Sequence, residues 1–185
     1  RGAKGLVMPL IPSRFRNLAG PPSLQSCTRD VYVPGLRFEL APVARIAYGM
    51  ACAARYLHQQ GILHGDFYAH NILHDEQGYA LLGDLGAASL YSTGAQAQAT
   101  GLQRLEVRAF GGLLEELIER CDESPAAQLG LTTMRELKAR CLGDSPQSRP
   151  LFDEIAQVLG GLAAHCRPRG SLPMVAESAV MARSH

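Results

Sequence analysis

Residues 63–71 read LHGDFYAHN. His64, Asp66, His70 and Asn71 crowd into this stretch, with Gly65 between the first two. An acid among polar side chains in a tight loop has the composition of a chemical site. It also has the composition of a solvated turn, whose side chains bond nearby amides. The segments on either side decide between the two.

Upstream, a helical period starts at Pro42. Val43, Ile46, Ala47, Met50, Ala54 and Leu57 fall on one face, and Gly61 stops the run. Downstream, Ile72–Leu73 and Tyr79–Leu82 read as two short strands. The sequence DEQG at 75–78 supplies the turn between them. The loop thus sits between a helix and a hairpin, and GDLG at 83–86 lies at the far end of that hairpin. Asp84 follows Asp66 by eighteen residues, and Asn71 follows it by five. A hairpin of this length brings its two ends together, so Asp66, Asn71 and Asp84 are expected to converge. Two carboxylates and an amide oxygen are hard ligands, which suits Mg²⁺ better than zinc. Mg²⁺ on a phosphate needs one or two protein carboxylates, which leaves the other acid free to orient a nucleophile.

The rest of the chain is mostly helical in pattern. LVMPLIP, 6–12, reads as a short buried strand ended by proline, and 13–40 as a loop with one short helix. Residues 87–104 are small and polar and read as flexible. A second helix is expected at about 105–121, with Val107, Phe110, Leu114, Leu117 and Ile118 on one face. A third is expected at 134–141 behind a Thr133–Glu136 capping box, and a fourth after Pro150 with Phe152, Ile155, Leu159 and Leu162 on one face. The end of the chain, from Cys166 on, reads as disordered or as a linker.

The composition sets limits on function. The chain has 185 residues, 46% hydrophobic and 19% charged, with a net charge of +1. That balance suits a soluble domain and gives no electrostatic reason to expect nucleic acid. No apolar run is long enough to cross a membrane. Five cysteines, odd in number and without a CxxC, point to a reducing cytoplasm rather than a disulfide or zinc framework. The first residue is not Met, so the sequence reads as a piece of a longer chain.

HGDFYAHN resembles the H-R-D-x-x-x-x-N catalytic loop of protein kinases, and DLG resembles their D-F-G. EVRAFGGLLEEL, 106–117, is similar to D-V-W-S-F-G-V-L-L-x-E-L of that family. CLGDSPQSRPLFDEI, 141–155, is similar to its C-x-x-x-x-P-x-x-R-P-x-F-x-E-I, and LVMPLIP to its L-V-M-E-Y-I-P hinge. The resemblance covers about 6–162. It implies a mainly α, protein-kinase-like C-terminal lobe with a small β-hairpin that carries the catalytic loop and the metal-binding DLG. Residues 1–12 would be the last N-lobe strand and hinge, 13–165 the C-lobe and 166–185 a flexible tail. It implies ATP and Mg²⁺ as cofactors and a protein hydroxyl, Ser or Thr, as acceptor. Asp66 would be the catalytic base, and Asn71 and Asp84 would hold the metal. Met8 would be the gatekeeper. The backbone of Pro9 and Ile11 would face the adenine, Leu73 would form its floor, and Gly86 would free the backbone after the metal-binding Asp.

Several positions depart from the family pattern. Gly65 replaces the loop Arg that pairs with a phosphorylated activation segment. Tyr68 stands where serine/threonine kinases have Lys and tyrosine kinases Ala, so this position leaves the choice of hydroxyl open; Leu85 replaces Phe while keeping an apolar plug, and Glu106 replaces the Asp that anchors the loop. No A-P-E lies between Asp84 and Glu106, so Arg149 lacks its family partner. No Gly-rich loop, strand Lys or helix Glu precedes residue 6, so weak ATP binding and no turnover are expected without an N-lobe. HGDxxxxN also resembles aminoglycoside and choline phosphotransferases, which makes a small-molecule kinase the alternative enzyme. A pseudokinase that acts by binding partners is the alternative of another class.

Overall fold

The helix expected after Pro42 organises the rest of the fold. The computed structural model describes residues 9–27, 29–92, 94 and 96–166. Helix α1 spans Leu40–Gln59, with Pro42 in the first turn, where a missing N–H costs nothing. Val43, Ile46, Ala47, Met50, Ala51 and Ala54 are wholly buried. The buried face ends on His58 rather than on Leu57, which is half-buried. Gly61, at φ +70°, turns the chain out of the helix, where a residue with a Cβ would be strained.

Two short antiparallel sheets flank this helix. Strands β1 (Arg16–Asn17), β3 (Ile72–His74) and β4 (Ala80–Leu82) form one, in the order β1-β3-β4. Strands β2 (Ile62–Leu63) and β5 (Ser89–Leu90) form the other. The β3–β4 turn is built as expected. Asp75 Oδ1 accepts from the amides of Gln77 and Tyr79, both at 3.0 Å, and Gly78 adopts φ +84°. A Cβ on Gly78 would sit 2.5 Å from the carbonyl oxygen of Pro42, so the hairpin tip lies directly on the first turn of α1. His74 is buried beside it, and loss of hydration pushes its pKa down.

Helix α2 (Gln96–Glu119) packs on α3 (Gln128–Cys141), and α4 (Phe152–His165) packs on α1. Phe110 from α2 and Phe152 from α4 meet edge to face at 5.3 Å. Phe67, from the 63–71 loop, lies 6.0 Å from Phe110. The polar loop therefore stands on an aromatic floor made of two helices. No helix among the described residues is long and apolar enough to cross a membrane.

Four expectations need correction. Residues 9–12 form no strand and are exposed; Pro9 and Pro12 have no amide N–H for a ladder, and residues 1–8 lie outside the described residues. Over 13–39 the structure holds β1 and the isolated bridges Gly20–Val31 and Phe38–Cys121, with no helix among the described residues, and Leu40 already opens α1. Residues 96–104 are helical: α2 starts at Gln96, and buried Ala99 extends the buried face about two turns back from Val107. Helix α3 starts at Gln128, so Thr133 lies inside it and its hydroxyl donates to the carbonyl of Leu129 at 3.1 Å rather than capping. Buried Leu131 and Met134 extend its apolar face. Of the tail, residues 167–185 lie outside the described residues.

Candidate active site

His64 is fully buried beneath the loop. Its Nε2 donates to the carbonyl of Gly83 at 2.8 Å, and its Nδ1 accepts from the amide of Asp66 at 3.3 Å. The carbonyl must receive and the amide must give, so the two partners fix which nitrogen carries the hydrogen. One imidazole thus ties Asp66 to the residue before Asp84.

The hairpin supplies a second tie. β3 and β4 pair Ile72 with Leu82. One step further along, the amide of Gly83 donates to the carbonyl of Asn71 at 2.8 Å. Asn71 and Asp84 are therefore brought to the same end of the hairpin. The side-chain amide of Asn71 donates to Asp66 Oδ2 at 2.8 Å and to the Asp66 carbonyl at 2.9 Å. Asn71 is nearly buried, whereas the Asp66 side chain keeps 36% of its surface open. A carboxylate gripped from one side and open on the other can receive a proton from an incoming group.

Asp84 is exposed and adopts the left-handed conformation, φ +49°. Asp tolerates that region better than most residues, and such conformations gather at functional sites. Its Oδ1 accepts from the amide of Gly86 at 3.0 Å, and a Cβ on Gly86 would lie 2.9 Å from that oxygen. Gly86 thus allows its own backbone to reach the acid. The hard oxygens of Asp84 and Asn71 fit Mg²⁺. Among the described residues, no group of three or more His, Cys, Asp and Glu forms a metal cluster.

Glu106 anchors the loop from below. Its Oε1 accepts from the amide of Gly65 at 2.8 Å, and its Oε2 lies 2.7 Å from His58 Nε2. Gly65 itself is required by shape. It adopts φ +79°, and a Cβ there would lie 2.4 Å from the carbonyl oxygen of Ala87.

The remaining sequence-derived positions are placed less tightly. Met8 lies outside the described residues. Pro9 and Ile11 are in exposed chain without secondary structure, and Leu73 is half-buried on the central strand β3, facing Asn17 and Leu81. Leu85 is 51% exposed, so it plugs nothing among the described residues. Arg149 is buried, with its guanidinium taken up by the carbonyls of Gly143 at 2.9 Å and Arg104 at 3.3 Å.

Sequence reasoning missed Arg29 and Asp30. Asp30 accepts from the amides of Ala69 at 3.0 Å and His70 at 3.2 Å, and it lies 2.6 Å from His70 Nδ1. The Arg29 guanidinium covers the Tyr68 ring at 4.5 Å and pairs with Glu116 at 3.1 Å. Glu116 also accepts from the Tyr32 hydroxyl at 2.9 Å, and burial pushes up the pKa of both. No local pattern marks Asp30, because its partners lie some forty residues away in the chain.

No curated protein matches the chain. The family model for the protein kinase domain matches residues 24–107, a span that holds Asp30, α1, Asp66, Asn71, Asp84 and Glu106. Over residues 24–107 the chain is similar to the protein kinase domain.

Proposed function

We propose that the protein transfers the γ-phosphate of ATP to a protein hydroxyl, on Ser or Thr. In this reading 13–165 is the lobe that carries the transfer chemistry, 1–12 is the last strand and hinge of the nucleotide-binding lobe, and 166–185 is a tail. The observation that carries the reading is the Asn71 amide on Asp66 Oδ2 at 2.8 Å, at the hairpin end that also bears Asp84. The acceptor oxygen bonds to the γ-phosphorus as the bond to the β–γ bridging oxygen breaks and ADP leaves. The hydroxyl proton goes to Asp66, whose orientation is set by Asn71. Asn71 and Asp84 would hold Mg²⁺, which offsets negative charge on the phosphate oxygens. Leu73 would form the floor under the adenine, with the backbone of Pro9 and Ile11 and the side chain of Met8 at its edge. Five free thiols suit a reducing cytoplasm.

A small-molecule acceptor is the second reading. It is favoured by the early start of α2 at Gln96, which leaves only 85–95 between Asp84 and that helix to form a platform for a peptide. Full-length protein given Mg²⁺ and γ-labelled ATP separates the readings, with Asp66→Ala and Asp84→Asn run alongside. Label on protein that falls about 10³-fold or more in both variants supports the first reading. Label found only on small hydroxyl compounds supports the second. Protein that binds no ATP is an interaction module, and an Asp66→Ala protein that keeps most of its rate sinks the role given to that residue.

A further inference from the structure

Asp30 presents a problem of cost. Its side chain is fully shielded from water. A buried carboxylate is expensive unless several donors replace the lost hydration. Three donors at Asp30 come from one place, the short turn Ala69–Asn71. They are the amides of Ala69 and His70 and the Nδ1 of His70, at 3.0, 3.2 and 2.6 Å. That turn ends in Asn71, whose side chain grips Asp66. The imidazole held by Asp30 directs its other nitrogen toward the same acid, with Nε2 at 3.7 Å from Asp66 Oδ2. The neighbouring residue closes the turn from outside: Arg29 lies over Tyr68, and Tyr68 stacks on His70 at 5.8 Å and 24°.

The loop has no side chain at position 65 to hold it, and the close approach of Ala87 leaves no room for one. The fixing of the 69–71 turn therefore comes from a segment remote in sequence. We propose that Asp30 is a positioning residue for phosphotransfer. It holds the 69–71 turn and the His70 ring so that Asn71 keeps the Asp66 carboxylate aimed at the acceptor. The role rests on the function proposed above. Asp30 touches neither nucleotide nor acceptor; it acts through Asn71 and His70.

Asp30→Asn keeps the volume but turns an NH₂ group toward donors, so at least one of the three bonds is lost. In full-length protein we expect kcat to fall about 10–100-fold, with KM for ATP within about twofold of wild type. Amide exchange at Ala69 and His70 should speed up as well. Leu131→Ala, on the buried face of α3, is the control for a general loss of stability: it should lower the thermal midpoint and leave kcat unchanged. The proposal is overturned if Asp30→Asn keeps wild-type kcat, or loses no more than Leu131→Ala does. Asp66→Ala separates the two failures. If Asp66→Ala is inactive while Asp30→Asn is fully active, only the role of Asp30 falls. If Asp66→Ala stays active, the phosphotransfer reading falls and takes Asp30 with it.

Discussion

Gly65 shows how one residue can be fixed by its surroundings rather than by its own chemistry. Its φ of +79° already disfavours any side chain, and the carbonyl of Ala87 occupies the place where a Cβ would go. Gly65→Arg, which would restore the family's loop Arg, should destabilise the fold by at least about 2 kcal/mol. Gly101 is the contrast. It lies inside α2 with nothing within 4 Å of a Cβ. Gly101→Ala should stabilise by about 0.5–1 kcal/mol. Urea unfolding of both variants checks the pair, and equal effects would refute the argument. That Asp66, Asn71 and Asp84 lie at one end of the hairpin could be read from the sequence, because their spacing follows from a loop and a hairpin, which are local structures. Asp30 could not. Its role is created only when the 13–40 segment folds back over the loop, and periodicity says nothing about such a contact.

At the level of elements, α2 both supports the loop and limits the chain beside it. Glu106 projects from α2 to the Gly65 amide and to His58 of α1, so one buried carboxylate joins two helices and the loop. Glu106→Ala would leave two buried polar groups without that partner and should cost about 3 kcal/mol. Equilibrium unfolding measures it, and a cost below about 1 kcal/mol would mean that water replaces the carboxylate. The existence of α1, α2 and α4 was legible, since each carries a long apolar stripe at helical spacing. Their boundaries were less so. The early start of α2 is hidden because its first turns are small and polar, and burial of Ala99 is a tertiary fact. Thr133 misled because Thr followed by Glu at the third position has the same look inside a helix as at its start.

At the level of the molecule, the site is where three kinds of structure meet. The aromatic floor of Phe67, Phe110 and Phe152 supports the loop from the helical side. The β3–β4 ladder sets the distance from Asn71 to Asp84. The 13–40 segment holds the loop from outside through Asp30. The mainly helical class was legible from composition and period, and so was the hairpin. The path of 13–40 was not, because its order comes from contacts with β3, the 69–71 turn and α2 rather than from a pattern of its own.

The seating of Gly78 on Pro42 has a consequence for attack by proteases. Hairpin tips are favoured places for nicking, because they peel easily into an extended form. The 75–78 tip cannot peel without lifting off the first turn of α1. The stretch 21–25 is exposed throughout, and Leu24 is 99% exposed. Brief digestion with thermolysin, which cleaves beside large apolar residues, should therefore cut near Leu24 and spare the bonds around Tyr79 and Leu81. A first cut at the hairpin tip would show that α1 does not shield it. The turn that sets the spacing of the site would then be a weak link rather than a protected one.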